Sequence, residues 1–138
     1  MATRDNEILV RRFLDEAYNK RNLAVGDETL TADCVFYTPA VIQGIAGWRM
    51  FATAFLTAFP DDLQITIDDI FATGDKVAAR WTARGTQKGP LRGIAPTGNE
   101  VRWLGIAHYY LSDGKIKEVW GLNDALGMLQ QIGAIPSK

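Results

Sequence analysis

The sequence is poor in the side chains that most often carry chemistry. Its 138 residues include a single cysteine, Cys34, and a single histidine, His108. One cysteine excludes an internal disulfide, and we expect Cys34 to be buried and inert. Because metal sites draw on clustered cysteine, histidine and carboxylate ligands, we also predict no metal site.

Strong charge of one sign and long apolar runs are lacking as well. The formal net charge is −1 and the basic residues are scattered, which gives no electrostatic reason to expect nucleic acid or an anionic membrane as a partner. No apolar run approaches the roughly 20 residues that span a membrane, and the first residues are polar rather than a secretion signal. We therefore expect a cytoplasmic protein without nucleic-acid or membrane partners, folded as one domain over residues 1–138.

Apolar residues recur at helical spacing in the first part of the chain. In the clearest case, Ile8, Leu9, Phe13 and Leu14 form one apolar stripe. A short strand, Cys34–Thr38, is predicted to stop at a proline. The predicted helices run from Thr3 or Asp5 to about Lys20, from Leu23 to Ala32, and from Ile45 to Phe59.

Alternation of apolar and polar residues replaces helical spacing after Pro60. It predicts strands over residues 63–68 and 77–84, a glycine-rich loop over 88–99, a hairpin over 101–124, and a last helix, Ala125–Gln131. Helices gathered at one end of an antiparallel sheet make an α+β fold. A curved sheet of this kind leaves a concave cone, where small-molecule sites are common.

The hairpin is unusual because both of its faces are apolar. One face of its first strand carries Val101, Trp103, Gly105, Ala107 and Tyr109, and the other carries Arg102, Leu104, Ile106, His108 and Tyr110. On the second strand, alternation groups Val119, Gly121 and Asn123 against Ile116, Glu118 and Trp120. A ribbon facing water on one side should be polar there. One face is therefore predicted to line a core or pocket, and the other to cover a partner.

Several motifs resemble the SnoaL-like polyketide cyclases of the nuclear-transport-factor-2-like (NTF2-like) superfamily. They are Thr86 with the loop Lys88–Gly98, the turn Asp113–Ile116, Trp120, Asp124 and the segment Leu129–Gly133. The resemblance extends from the first helix to Gly133. It implies an NTF2-like α+β cone with three N-terminal helices packed in a strongly curved antiparallel sheet, and a short C-terminal helix. It also implies a homodimer packed sheet on sheet, here through Leu104, Ile106, Tyr110 and Trp120.

The same resemblance implies a chemistry that this chain lacks the residues to perform. The family's best-understood members resemble intramolecular aldol cyclases that need no metal or cofactor and use an Asp beside a His. Those positions fall on Gly121 and Ala107, which cannot transfer a proton. The related ketosteroid isomerase would place its Asp base at Thr38, before Pro39, so that group is absent too.

The remaining candidates each have a plainer structural explanation. His108 is the default base near neutral pH, but alternation turns it away from Ala107, which favours a structural or interface role. Asn123 could hydrogen-bond a ligand or cap the last helix, and Asp124 is better suited to capping than to acid catalysis. The candidate ligand-binding residues, which could equally be core, are Tyr37, Trp81, Trp103, Ala107, Tyr109 and Gly121.

Three functions are compatible with this pattern. The first is a cofactor-independent enzyme that cyclises or isomerises a small, apolar, carbonyl-containing molecule. The second is a protein that binds such a molecule without converting it. The third is a dimeric interaction protein whose cone is filled by its own side chains, with Trp103 and Tyr109 as the plug.

Overall fold

The structure is a computed structural model that describes residues 3–136. Its helices are α1 (Thr3–Leu14), α2 (Val25–Thr29), α3 (Gly44–Ala58) and α4 (Ala125–Gln131), and a π-helical segment, Asp15–Asn19, continues α1. Its strands are β1 (Leu30–Thr38), β2 (Ala40–Gln43), β3 (Gln64–Thr73), β4 (Lys76–Thr86), β5 (Glu100–Ser112) and β6 (Lys115–Asn123). The predicted α+β class, with three N-terminal helices and a short C-terminal one, is confirmed.

The six strands form one curved, unclosed sheet in the order β2-β1-β6-β5-β4-β3. Strands β3 to β6 make the predicted antiparallel meander. The sheet is not antiparallel throughout, because β1 pairs with β6 in parallel. Parallel neighbouring strands require a long crossover connection. Here the whole segment of chain from β2 to the end of β5 forms that connection. Strand β2 was not predicted; the chain reverses at Pro39 and pairs again with β1.

Two helices close the concave side of the sheet. Helix α1 packs against β3 and α3 against β1, and the buried faces of the two helices supply Phe13 and Trp48 to the core. The second helix is shorter than predicted because residue 30 already belongs to β1 and pairs with β6. Gly26 in that helix is required, since a Cβ there would lie 2.5 Å from the Trp48 ring.

The predicted faces of the hairpin are confirmed on β5 and corrected at one position on β6. Buried and exposed residues alternate strictly from Val101 to Tyr109. On β6, Ile116 was grouped with the outer face, but it is fully buried opposite Leu111. Lys117 is left without a partner in the ladder, so a β-bulge shifts the alternation by one residue.

The glycine-rich loop is ordered by one buried side chain. Gln87 is fully buried and donates from Nε2 to the carbonyls of Ile94 and Ala95, both at 3.2 Å. Its Oε1 accepts from the Thr97 amide at 3.1 Å and the Thr97 hydroxyl at 2.7 Å. The loop also approaches α3 closely, because a Cβ on Gly89 would lie 2.0 Å from the carbonyl oxygen of Thr57. Gln87 and Gly89 therefore hold the loop against the helix end.

We expect Gln87→Ala to lower the free energy of unfolding by about 2–4 kcal/mol, because it leaves several buried polar groups of the loop without partners. Urea unfolding measures the change. The matched control is Gln64→Ala on exposed β3, which should stay within about 0.5 kcal/mol of wild type. Equal effects of the two substitutions would show that the loop does not depend on Gln87.

Candidate functional site

A cavity lies between the concave face of the sheet and helices α1 and α3. The space open to the centre of a water-sized sphere is about 60 Å³. Its lining is almost wholly apolar and includes Phe13, Leu14, Phe36, Leu63, Ile65 and Val119. None of the lining residues is an Asp, Glu, His, Lys, Arg or Cys. The cavity is therefore built to hold an uncharged group.

Stacked and tilted aromatic rings make the wall nearest α3. The Phe55 ring stacks on Trp103 with centroids 5.9 Å apart and 21° between planes. Phe51 meets Phe55 edge-on at 5.3 Å, and Phe59 supports Trp103 at 5.2 Å. Phe51 and Phe55 also line a groove on the outer surface. These two half-buried rings separate the cavity from solvent on that side.

Five of the six predicted ligand-binding residues line this cavity: Trp81, Trp103, Ala107, Tyr109 and Gly121. Tyr37 does not, which corrects the expectation that it faces the cone. It lies on the outer face, stacked on Trp120 with centroids 4.2 Å apart, because its neighbour Phe36 takes the inward position in β1. The binding roles of all six stay predictions.

The two positions at which the family resemblance implies an Asp and a His face each other across the β5–β6 ladder. Gly121 pairs with Ala107, and both line the cavity. A Cβ on Gly121 would lie 3.2 Å from the Ala107 Cβ. In this part of the cavity the lining therefore consists of backbone atoms and one methyl group, and it contains no acidic or basic side chain.

The three candidate catalytic residues occupy different environments. His108 is exposed on the outer face, opposite Trp120. Asp124 accepts a hydrogen bond from the Gly127 amide at 2.9 Å and caps α4. Only Asn123 lines the cavity, where its Oδ1 accepts from Trp103 Nε1 at 3.1 Å. Because an indole N–H can only donate, the Asn123 oxygen is committed and its NH₂ group remains for another acceptor.

Three further predictions concerned the cysteine, metal sites and membrane-spanning helices. Cys34 is buried and free, as predicted, and burial with the nearby Asp33 charge raises the pKa of its thiol. That the thiol is inert stays a prediction. Within residues 3–136, no three His, Cys, Asp or Glu side chains are grouped as metal ligands would be. Of the helices in the described part of the chain, none is both long and apolar enough to cross a membrane.

Sequence reasoning missed two polar residues of the cavity, Thr38 and Tyr18. The predicted first helix, which runs to about Lys20, includes Tyr18, but the residue lies in the π-helical segment and lines the cavity. π-helical turns are rare and often occur at functional sites. Burial raises the pKa of the Tyr18 phenol to about 12, although the Trp48 indole N–H opposes the shift. Burial is also the main cause that raises the pKa of Tyr109, and the electrostatic effect of the neighbouring Tyr18 raises it further.

Comparison with known proteins identifies relatives across nearly the whole chain. A family model described as SnoaL-like polyketide cyclase matches residues 8–132. TsrD from Streptomyces laurentii is 32% identical, with a TM-score of 0.88 over 98% of this chain and 99% of that one. AclR from Streptomyces galilaeus, a provisionally assigned hydroxylase, is 28% identical, with a TM-score of 0.89 over 99% and 86%. IdmH from Streptomyces antibioticus, a provisionally assigned polyketide cyclase, is 29% identical, with a TM-score of 0.80 over 93% and 98%. No curated protein matches this chain.

The buried phenols make a prediction about alkaline pH. An unfolded tyrosine ionises near pH 10, whereas the raised pKa of Tyr18 lies at about 12 in the folded protein. Its contribution to stability is therefore complete below about pH 10 and is lost as pH rises towards about 12. Between about pH 9 and pH 11, we expect Tyr18→Phe to lose about 1 kcal/mol less stability than wild type. Urea unfolding at several pH values measures this, and parallel pH profiles of the two proteins would contradict it.

Proposed function

Because this chain belongs to the SnoaL-like polyketide cyclase family and has its NTF2-like fold, we propose that its cone binds a small, apolar, carbonyl-containing molecule of the polyketide type. The observation that supports this best is the composition of the cavity, with aromatic and aliphatic walls and a few neutral polar groups. Sites for small organic ligands have this character, since apolar walls supply affinity and a few polar groups fix orientation.

Binding without conversion is the function that the lining favours. Ring closure or isomerisation by acid/base catalysis needs a titratable group within hydrogen-bond reach of the substrate. In this chain the corresponding positions are Gly121 and Ala107, and the His108 side chain is on the other side of the sheet. The ligand would be held by contact with ring faces and by hydrogen bonds to neutral donors.

The second candidate is cofactor-independent cyclisation or isomerisation of that ligand. The provisional assignment of IdmH as a polyketide cyclase favours it. In this chain such a reaction would depend on orienting the substrate rather than on a carboxylate base. Asn123 is the candidate residue, because it lines the cavity and its NH₂ group is not used in the bond to Trp103.

The small size of the cavity means that the proposed function requires an adjustable entrance. About 60 Å³ accommodates a few water molecules, so a bicyclic ligand requires side chains to move outward. Phe51 and Phe55 are the residues that we propose to move, because each borders both the cavity and the outer groove.

We also propose that the protein is a homodimer through the outer face of the sheet. Leu104, Ile106 and Trp120 there are 56%, 52% and 51% exposed, and Leu122 extends the same apolar surface. Contiguous exposed apolar surface of this kind marks a protein interface. Tyr110, also expected at this interface, is half-buried under Lys76.

The test of ligand binding is a thermal-shift screen with bicyclic and tricyclic aromatic ketones, steroids and fatty acids. A ligand at about 100 times its Kd adds about 2.7 kcal/mol to stability, which raises the melting temperature by roughly 5–10 °C. We expect Ala107→Leu to remove this shift by filling the cavity. The matched control, Ala78→Leu, lies on the opposite face of β4 and should keep it. Absence of any shift in wild type would contradict the proposed function.

The dimer is tested by light scattering during gel filtration at micromolar concentration. We expect wild type to elute as a dimer and Ile106→Lys as a monomer, because the substitution buries an unpaired charge in the interface. Ile8→Lys is the matched control, since Ile8 is 50% exposed on α1 and does not belong to the outer face of the sheet. A monomeric wild-type protein, or an Ile106→Lys protein that remains dimeric, would show that another surface or none is used.

A further inference from the structure

The outer side of α3 lacks the charges that a solvent-facing helix normally carries. Of the 15 residues in the helix, only Arg49 is charged. The exposed positions form an outer stripe of Met50, Thr53, Ala54 and Thr57, and Met50 is 77% exposed. Because surface helices place charged and polar residues on this side, the composition of the outer stripe indicates that an apolar group covers it.

A groove runs along the outer stripe and is bounded on its other side by the glycine-rich loop, which contributes residues 90–93. Among the described residues that line the groove, none is acidic, and the two charged ones are Arg49 and Arg92. Arg49 is paired with Asp27, whereas none of the ion pairs within residues 3–136 includes Arg92. The groove therefore presents a cation that lacks a counter-charge in the described part of the chain.

The backbone at Arg92 adopts a conformation that disfavours arginine. Arg92 and Gly93 form a tight turn, which is closed by the bonds from the Leu91 amide to the Ile94 carbonyl at 3.0 Å and from the Ile94 amide to the Leu91 carbonyl at 2.8 Å. Their φ angles are +49° and +79°, and such turns favour asparagine or glycine at the first position. Strained residues of this kind cluster at binding sites, so the strain favours a functional role for the Arg92 side chain.

The groove and the cavity have one wall in common. Phe51 and Phe55 line both, and each is only half-buried. An apolar arm attached to a ring system in the cone would pass between these two rings and lie along the outer stripe. The far side of the groove is the loop that carries Arg92. Because a guanidinium donates two parallel hydrogen bonds to a carboxylate, a carboxylate at the end of the arm matches this side chain.

We propose that this groove is the subsite for an apolar arm of the ligand, and that Arg92 binds a carboxylate at the end of the arm. The inference rests on the proposed function, because the ring system of the same ligand occupies the cone. It names an amphipathic ligand class, with an uncharged, carbonyl-containing ring system inside and a carboxylate outside. The carboxylate stays out of the cavity, where no charged side chain could balance it.

The test uses keto acids in which a 2-naphthyl ketone and a carboxylate are separated by two, four or six methylene groups. Each acid is compared with its methyl ester, and calorimetry gives the Kd values. An exposed ion pair corresponds to about a three- to five-fold change in Kd. We expect wild type to prefer the longer acids over their esters by this factor and to show no preference at the shortest length, because that carboxylate stays between the Phe51 and Phe55 rings.

Substitutions of Arg92 separate its charge from other effects. Arg92→Gln should abolish the preference for the acids and leave the Kd values of the esters within about two-fold of wild type. Arg92→Lys should keep part of the preference, because the charge remains without the planar guanidinium. In wild type, raising the salt concentration to about 0.5 M should lower the preference, since exposed ion pairs are screened. The matched control, Arg84→Gln, removes an exposed arginine of β4 outside the groove and should keep it.

Arg92→Gly tests the argument from strain independently of any ligand. Glycine adopts a positive φ without strain, so we expect the melting temperature to rise by about 2–4 °C while the preference for the acids is lost. A lower melting temperature would show that the arginine stabilises the turn, and would overturn the argument that its strain serves binding.

The outcomes separate this inference from the function on which it rests. If wild type binds neither the acids nor the esters, the proposed function fails and the inference with it. If the esters bind but no acid binds more tightly than its ester, the groove receives something other than an arm of this ligand, and only the inference is overturned. Equal losses in Arg92→Gln and Arg84→Gln would overturn it as well. A preference for the longer acids that disappears in Arg92→Gln and falls with salt supports it.

Discussion

Continuous pairing between β4 and β5 is the constraint on which the rest of the structure depends. The ladder runs without interruption from Lys76 opposite Tyr110 to Thr86 opposite Glu100. Because side chains alternate along a paired strand, this register commits Trp103, Ala107 and Tyr109 to the cavity. It commits Ile106 and His108 to the outer face at the same time. A slip of one residue would exchange the two sets and leave neither surface intact.

Small residues in this ladder determine the shape of the cavity. A Cβ on Gly105 would lie 2.3 Å from Trp81 Nε1, so only glycine lets the Trp81 indole lie across β5 and line the cavity. Gly121 and Ala107 leave adjoining space open along β6 and β5. Large aromatic rings therefore bound the cavity. Where the Trp81 ring crosses the neighbouring strand, that strand carries a glycine, and small residues also leave space beside it.

How much could be predicted from the sequence depended on the range of the interactions involved. The faces of β5 followed from two-residue alternation, and the predicted loop followed from its glycines and prolines. The parallel β1–β6 pairing, the bulge that buries Ile116 and the inward turn of Tyr18 depend on hydrogen bonds between segments far apart in the chain. Tyr37 was misplaced for a simpler reason, because a short strand gives no local signal for which face is buried.

The raised pKa values of the two tyrosines that line the cavity have one main physical cause, which is burial. An apolar enclosure of this kind disfavours any ionised group. It raises the pKa of the Tyr18 phenol to about 12, and Gly121 and Ala107 carry no ionisable side chain. A neutral hydroxyl still donates a hydrogen bond in such surroundings, and the bond is stronger there than in water. An uncharged hydrogen-bond donor is therefore the kind of polar group that this enclosure accommodates at the lowest cost in free energy.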